Sequence, residues 1–176
     1  MCIIIDSCVL PKVFKEADKK HSIYRPVCEW IVNGNGTLVY GGKKFEEELF
    51  NDHKWFIRFL RLLQESGKAF RADGTKVDRR QEIVEAMVAN PDFDDPHLIA
   101  LLGVTGCQLI CTGDARAEKF ILDKKLYPKG STVPAIYKNA KKHAKLLCTE
   151  NIGKCCQGAH KLNKSNKAAL GLPIPA

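Results

Sequence analysis

The chain predicts an α/β fold, a three-layer α/β/α architecture around a central, mainly parallel sheet of about five strands. Short β-branched apolar runs alternate along it with longer stretches of helical period. The runs are apolar throughout instead of alternating with polar residues, as in strands covered on both faces. Strands separated by helices need crossover connections, and crossovers give parallel pairing. At 176 residues and 45% hydrophobic content, the chain can bury one ordinary core and not two.

Cys2-Ile3-Ile4-Ile5 is the first strand, stopped by Asp6-Ser7. Ile23, Val27, Trp30 and Ile31 recur at i, i+4, i+7 and i+8, one stripe of an amphipathic helix that Asn33-Gly34-Asn35-Gly36 ends. Thr37 to Tyr40 is a second strand, closed by Gly41-Gly42. Phe45, Leu49, Phe56, Phe59, Leu60 and Leu63 keep near-helical spacing, with a break expected around Asn51-Asp52. Lys68 to Ala72 reads as the third strand and Asp73-Gly74 as a turn. Val77, Ile83, Val84, Met87 and Val88 mark a helix ending near Asn90-Pro91.

Pro96 can open the next helix, which carries Leu98, Ile99, Leu101 and Leu102. Gln108 to Cys111 then repeats the opening signature, an apolar strand running into Thr112-Gly113-Asp114. A helix over about Arg116 to Leu126, a strand over about Val133 to Tyr137 and a lysine-rich helix over about Asn139 to Leu147 complete the pattern. Residues 1–150 therefore make the domain, and 151–176, rich in Gly, Lys, Asn, Ser and Pro, are expected to be a basic, flexible tail.

The apolar run of the opening MCIIIDSC is too short for a secretory signal, and no run approaches the ~20 apolar residues that span a bilayer. A cytoplasmic protein with no membrane partner is expected, its eight cysteines reduced. Lys and Arg number 28 against 20 Asp and Glu, giving a formal net charge of +8 that favours a polyanionic partner. Most of the excess falls after position 120, where a solvated basic surface would serve as well as a binding one.

In a parallel sheet, ligands bind beyond the strand C-termini where the strand order switches. Asp6 and Asp114 both stand at that place on their strands. A carboxylate ending a buried strand is costly to desolvate without a cation or hydrogen bonds, so a divalent ion or helix capping must account for each. Two further acidic groups, Glu46-Glu47-Glu48 and Asp92-Phe93-Asp94-Asp95, lie at helix starts, where acids also suit the helix dipole.

The ordered pieces CIIIDS (2–7), VYGGKKFEEEL (39–49), DDPHLIALL (94–102) and QLICTGDARA (108–117) resemble the PIN-domain nucleases over about positions 2–137. The resemblance implies four acids at the C-terminal edge of the sheet that bind one or two Mg²⁺ or Mn²⁺ ions and hydrolyse RNA phosphodiester bonds. Piece by piece, both the catalytic and the metal-binding roles fall on Asp6, Glu48, Asp95 and Asp114. Glu47 remains an alternative to Glu48, and Asp94 to Asp95. Ser7 and Thr112 match positions where a hydroxyl supports the ligands. Oxygen-only donors suit a hard cation such as Mg²⁺, and water activated by such ions needs no side-chain nucleophile.

Lys43, Lys44, Arg116 and Lys119 flank these acids and are expected to contact RNA phosphates, on single-stranded RNA. The resemblance leaves room for a toxin paired with an antitoxin or other protein partner, for an RNA-processing nuclease and for a homodimer. A PIN-like RNA-binding or scaffold protein without turnover is the competing reading. His97 is set aside as a packing or capping residue, and Cys155-Cys156 with His160 lacks the second spaced pair of a zinc site. An aspartyl phosphotransferase would need a second Asp two residues after Asp6, where Cys8 stands.

Overall fold

The computed structural model describes residues 2–148 and 164–169. Strands β1 (Cys2–Ile5), β2 (Thr37–Tyr40), β3 (Ala69–Arg71), β4 (Leu109–Cys111) and β5 (Ala135–Tyr137) pair in the order β3-β2-β1-β4-β5. Each pairing is parallel, with Ile4 opposite both Val39 and Ile110. Every residue of β1, β2 and β4 is buried, which requires helices over both faces and gives the three-layer α/β/α fold. The chain builds β1, β2 and β3 outward in one direction, then returns to lay β4 on the other side of β1. The switch in strand order thus lies between β1 and β4, whose ends lead into Asp6 and Thr112.

The helices are α1 (Leu10–Phe14), α2 (His21–Val32), α3 (Lys43–Asp52), α4 (Lys54–Glu65), α5 (Gly74–Met87), α6 (Pro96–Thr105), α7 (Glu118–Ile121), α8 (Ala140–His143) and α9 (Lys164–Ala169). The break between α3 and α4 falls at His53, next to the expected Asn51-Asp52. Gly106 ends α6 in the left-handed conformation at φ 65°, a backbone state that glycine adopts without steric cost. Lys68 is fully buried just before β3, and its Nζ donates to the carbonyls of Gly34 at 2.7 Å and Gly36 at 3.2 Å. This buried ammonium ties the turn leading into β2 to the start of β3. No helix among the described residues is long and apolar enough to cross a membrane.

Several local expectations fail. The stripe drawn on α2 is rotated, because Ile23 is exposed while Tyr24 and Cys28 join Val27 and Ile31 in the core. On α5, Ile83 and Met87 face outward and Val77 and Val84 carry the burial. The helix expected over 116–126 is two pieces, α7 and a 3₁₀ turn over Lys124–Leu126. Asp123 accepts from Lys125 N at 2.9 Å, and a side chain that bonds the backbone locally competes with continuing the helix. The lysine-rich helix is likewise one turn, α8, continued as a 3₁₀ turn over Ala144–Leu146. Residues 7–9 form a 3₁₀ turn that runs into α1, a helix with no counterpart in the sequence reading. The expected loose tail lies outside the described residues except at 164–169, which are helical and bring Asn166 Nδ2 to Ser66 Oγ at 2.8 Å.

Candidate active site

Asp6 continues the β1–β4 pairing through its N–H, which donates to Cys111 O at 3.0 Å. That bond carries its side chain to the switch point. The carboxylate is only 4% exposed, so its hydrogen bonds decide what it costs to keep there. Oδ2 accepts from Thr112 Oγ1 at 2.6 Å and from Cys8 Sγ at 3.1 Å, and Oδ1 accepts from Cys8 N at 3.1 Å. Asp6 therefore caps the 3₁₀ turn and also faces the site, so capping and a ligand role are compatible. Partial burial and the Asp6 carboxylate push the Cys8 thiol up to about 12, which keeps it a protonated donor at neutral pH.

Glu48 and Glu47 are separated by α3 geometry. Glu47 is half exposed and pairs with Lys43 at 4.0 Å. Glu48 turns toward β1, where its Oε2 accepts from Ser7 Oγ at 2.7 Å and stands 3.7 Å from His97 Nε2. His97 is buried on α6, and burial lowers its pKa against the opposing pull of Glu48. Its Nδ1 makes no hydrogen bond among the described residues. The histidine set aside in the sequence thus borders the acids, two residues beyond Asp95.

Asp95 occupies the N-cap position of α6 without a side-chain cap bond. Burial first, then the charges of Asp6, Asp94, Glu48 and Asp114, raise its carboxyl from the ordinary carboxylate range to about 7. Asp94, Asp95 and Asp114 each bring one carboxylate oxygen within 4.8 Å of the others. The structure thus joins Asp94 to Asp95 and Asp114 instead of deciding between the two neighbours. Asp6 and Glu48 are not part of that group and reach Asp95 through their charges.

Asp114 N donates to Thr112 Oγ1 at 3.1 Å, so Thr112 links both strand-end acids. Hydrogen bonds from the Arg116 side chain and backbone hold the Asp114 carboxyl below its usual range. Arg116 reaches Asp114 Oδ2 and Asp94 Oδ2, each at 2.8 Å. The other cations expected on RNA are paired as well: Lys43 with Glu47, Lys44 with Glu48 at 3.8 Å, and Lys119 with Asp92 at 2.9 Å. Neither Asp6 nor Asp95 is in an ion pair among the described residues. A donor set of carboxylate and hydroxyl oxygens without a protein cation on its two more buried members fits a hard divalent ion. Comparison with protein-family models, curated proteins and solved structures finds no match for the chain.

Proposed function

We propose that the chain is a divalent-metal-dependent endoribonuclease of PIN-like type, cutting single-stranded RNA at the edge of the sheet between β1 and β4. The observation that carries this reading is the state of Asp95, a carboxyl raised to about 7 by burial among Asp6, Asp94, Glu48 and Asp114. Crowded acids that a fold does not neutralise are expected where a cation belongs. Asp95, Asp114 and Asp94 would hold Mg²⁺ or Mn²⁺, with Asp6 and Glu48 beside them. When bound, the ion supplies charge stabilisation on the phosphate and a more acidic water.

The chain's own residues do the rest. Thr112 and Cys8 fix the Asp6 carboxylate, so it does not reorient when substrate arrives. Ser7 holds Glu48 toward the same space. Asp95, whose carboxyl is raised in the metal-free fold by burial and four neighbouring acids, would be held ionised as a ligand by the cation.

The test is incubation of the purified chain with mixed RNAs and 1 mM Mn²⁺, with Asp6→Asn and Asp114→Asn as controls. Cleavage by the wild type that falls at least about 100-fold in both variants is the expected outcome. Wild-type protein that cuts nothing, or variants that cut equally well, would sink the reading. A binding protein without turnover is favoured by one observation, the Arg116 guanidinium across Asp94 and Asp114. That reading predicts that intact RNA is retained without divalent ions and that Mn²⁺ changes nothing.

A further inference from the structure

Gly113 sits between Thr112 and Asp114 with an ordinary negative φ region available to any residue. A Cβ placed on it would meet Lys12 Nζ at 3.6 Å, Tyr24 OH at 3.6 Å and Val9 Cγ1 at 3.9 Å. These are normal contact distances, so neither backbone strain nor packing requires glycine here. At the edge of the acidic site the glycine thus leaves room for about one methyl group, bordered by the Lys12 ammonium and the Tyr24 hydroxyl.

Neither donor is in an ion pair or a side-chain hydrogen bond among the described residues. Lys12 makes no ion pair among the described residues, in contrast to Lys43, Lys44, Arg116 and Lys119. Its own carbonyl faces His21 Nδ1 at 3.1 Å, which ties the end of α1 to the start of α2. Tyr24 is 6% exposed and packs on Tyr137 with ring centroids 6.4 Å apart. Burial raises the Tyr24 pKa above its ordinary value, which keeps the hydroxyl protonated as a donor. Lys12 also bears on Cys8 and Cys111, the two thiols nearest Asp6, which places its charge beside the strand ends.

We infer that Lys12 Nζ and Tyr24 OH form a cradle over Gly113 that holds an internal phosphodiester of single-stranded RNA next to the acidic site. The inference rests on the ribonuclease reading for its substrate. An ammonium gives a phosphate its charge complement and a hydroxyl adds a directed donor. Among the described residues, Lys12 is a cation near this edge that does not have to leave a carboxylate first.

The experiment measures anisotropy of a 3′-labelled 20-nucleotide RNA with a 5′-hydroxyl, in EDTA and again in Ca²⁺, from 50 to 200 mM KCl. Lys12→Met should weaken binding by roughly five- to tenfold and flatten the salt slope by about 0.7, one single-strand phosphate contact. Lys12→Arg should keep the slope. Gly113→Ala, which fills the gap without a clash, should weaken binding similarly while its melting midpoint stays at the wild-type value. Tyr24→Phe should weaken binding by roughly two- to threefold with the slope unchanged.

Wild-type binding in both Lys12→Met and Gly113→Ala overturns the cradle, as does failure of the wild type to bind in either buffer. A 5′-phosphorylated RNA that binds far more tightly than the 5′-hydroxyl one, through Lys12, would replace the internal phosphodiester by a terminal monoester and overturn the assignment. The two readings fail separately. Lys12-dependent binding without cleavage in Mn²⁺ keeps the cradle and removes the nuclease. Cleavage and binding that ignore Lys12→Met keep the nuclease and remove the cradle.

Discussion

A carboxyl that titrates near pH 7 in the metal-free fold makes stability depend on pH in a definite direction. Asp95 has a folded-state pKa of about 7 against about 3.9 in an unfolded chain. The native state therefore holds the proton more tightly between these values, and the contribution is full below about pH 4 and lost as pH rises through about 7. Asp95→Asn cannot ionise and loses no cap bond, because Asp95 makes none. Without metal, the variant should melt level with wild type near pH 4 and above it at pH 8. Thermal melts in EDTA across that range check this, and a variant that melts lower at pH 8 would make Asp95 a structural partner. The acids themselves were legible, since Asp6 and Asp114 end apolar strands and so declare their place. Choosing between Glu47 and Glu48 needed the direction of α3, which only the Ser7 and His97 contacts reveal. Lys12 and Tyr24 were not legible: a residue that meets the site across a glycine gap leaves no periodic signal.

Glu48 is carried to the site by α3, whose N-cap is Gly42. Its φ is 88°, and a Cβ there would stand 2.5 Å from Val77 Cγ1. Gly42→Ala therefore adds overpacking against α5 to a left-handed strain, and should destabilise by about 2–4 kcal/mol. Gly67 has φ 67° and nothing within 4 Å of an added Cβ, so Gly67→Ala should cost only about 1 kcal/mol. Chemical denaturation of the two variants separates packing from backbone strain, and equal losses would mean that the Val77 contact relaxes freely. α4, with its sustained apolar period, was readable to within a residue or two, and Pro96 marked the start of the continuously buried α6. Those that fail are short. At α7, Asp123 bonds the backbone locally and ends the helix. At α1, Pro11 and the preceding 3₁₀ turn hide a helix of five residues. Strands β1, β2 and β4 were readable because burial on both faces removes polar residues, and the largely exposed edge strand β3 falls inside the stretch expected for it, one residue shorter at each end.

Over the whole molecule, a chain of net charge +8 gathers carboxylates at one sheet edge and sets cations around them. Lys43, Lys44, Arg116 and Lys119 each already hold an acid, so the metal-free protein neutralises its site from the rim while Asp6 and Asp95 have no ion pair among the described residues. If the proposed divalent ion binds these acids, it should relieve the repulsion that the rim leaves in place and stabilise the native state. Mn²⁺ at 100 times its dissociation constant should add about 2.7 kcal/mol if the unfolded chain does not bind it. For a domain of this size that is a rise of about 5–10 °C in the melting midpoint. Asp95→Asn, despite its higher metal-free midpoint at pH 8, should gain much less, because it removes both a ligand and the charge that the ion offsets. Arg116→Gln should behave oppositely, melting lower without metal and gaining more with it, since Asp94 and Asp114 lose their resident cation. Calorimetric scans of the three proteins with and without Mn²⁺ test this ordering. Equal gains in all of them would place the ion away from the β1–β4 edge, and no gain in any would leave the acids without a metal to explain them.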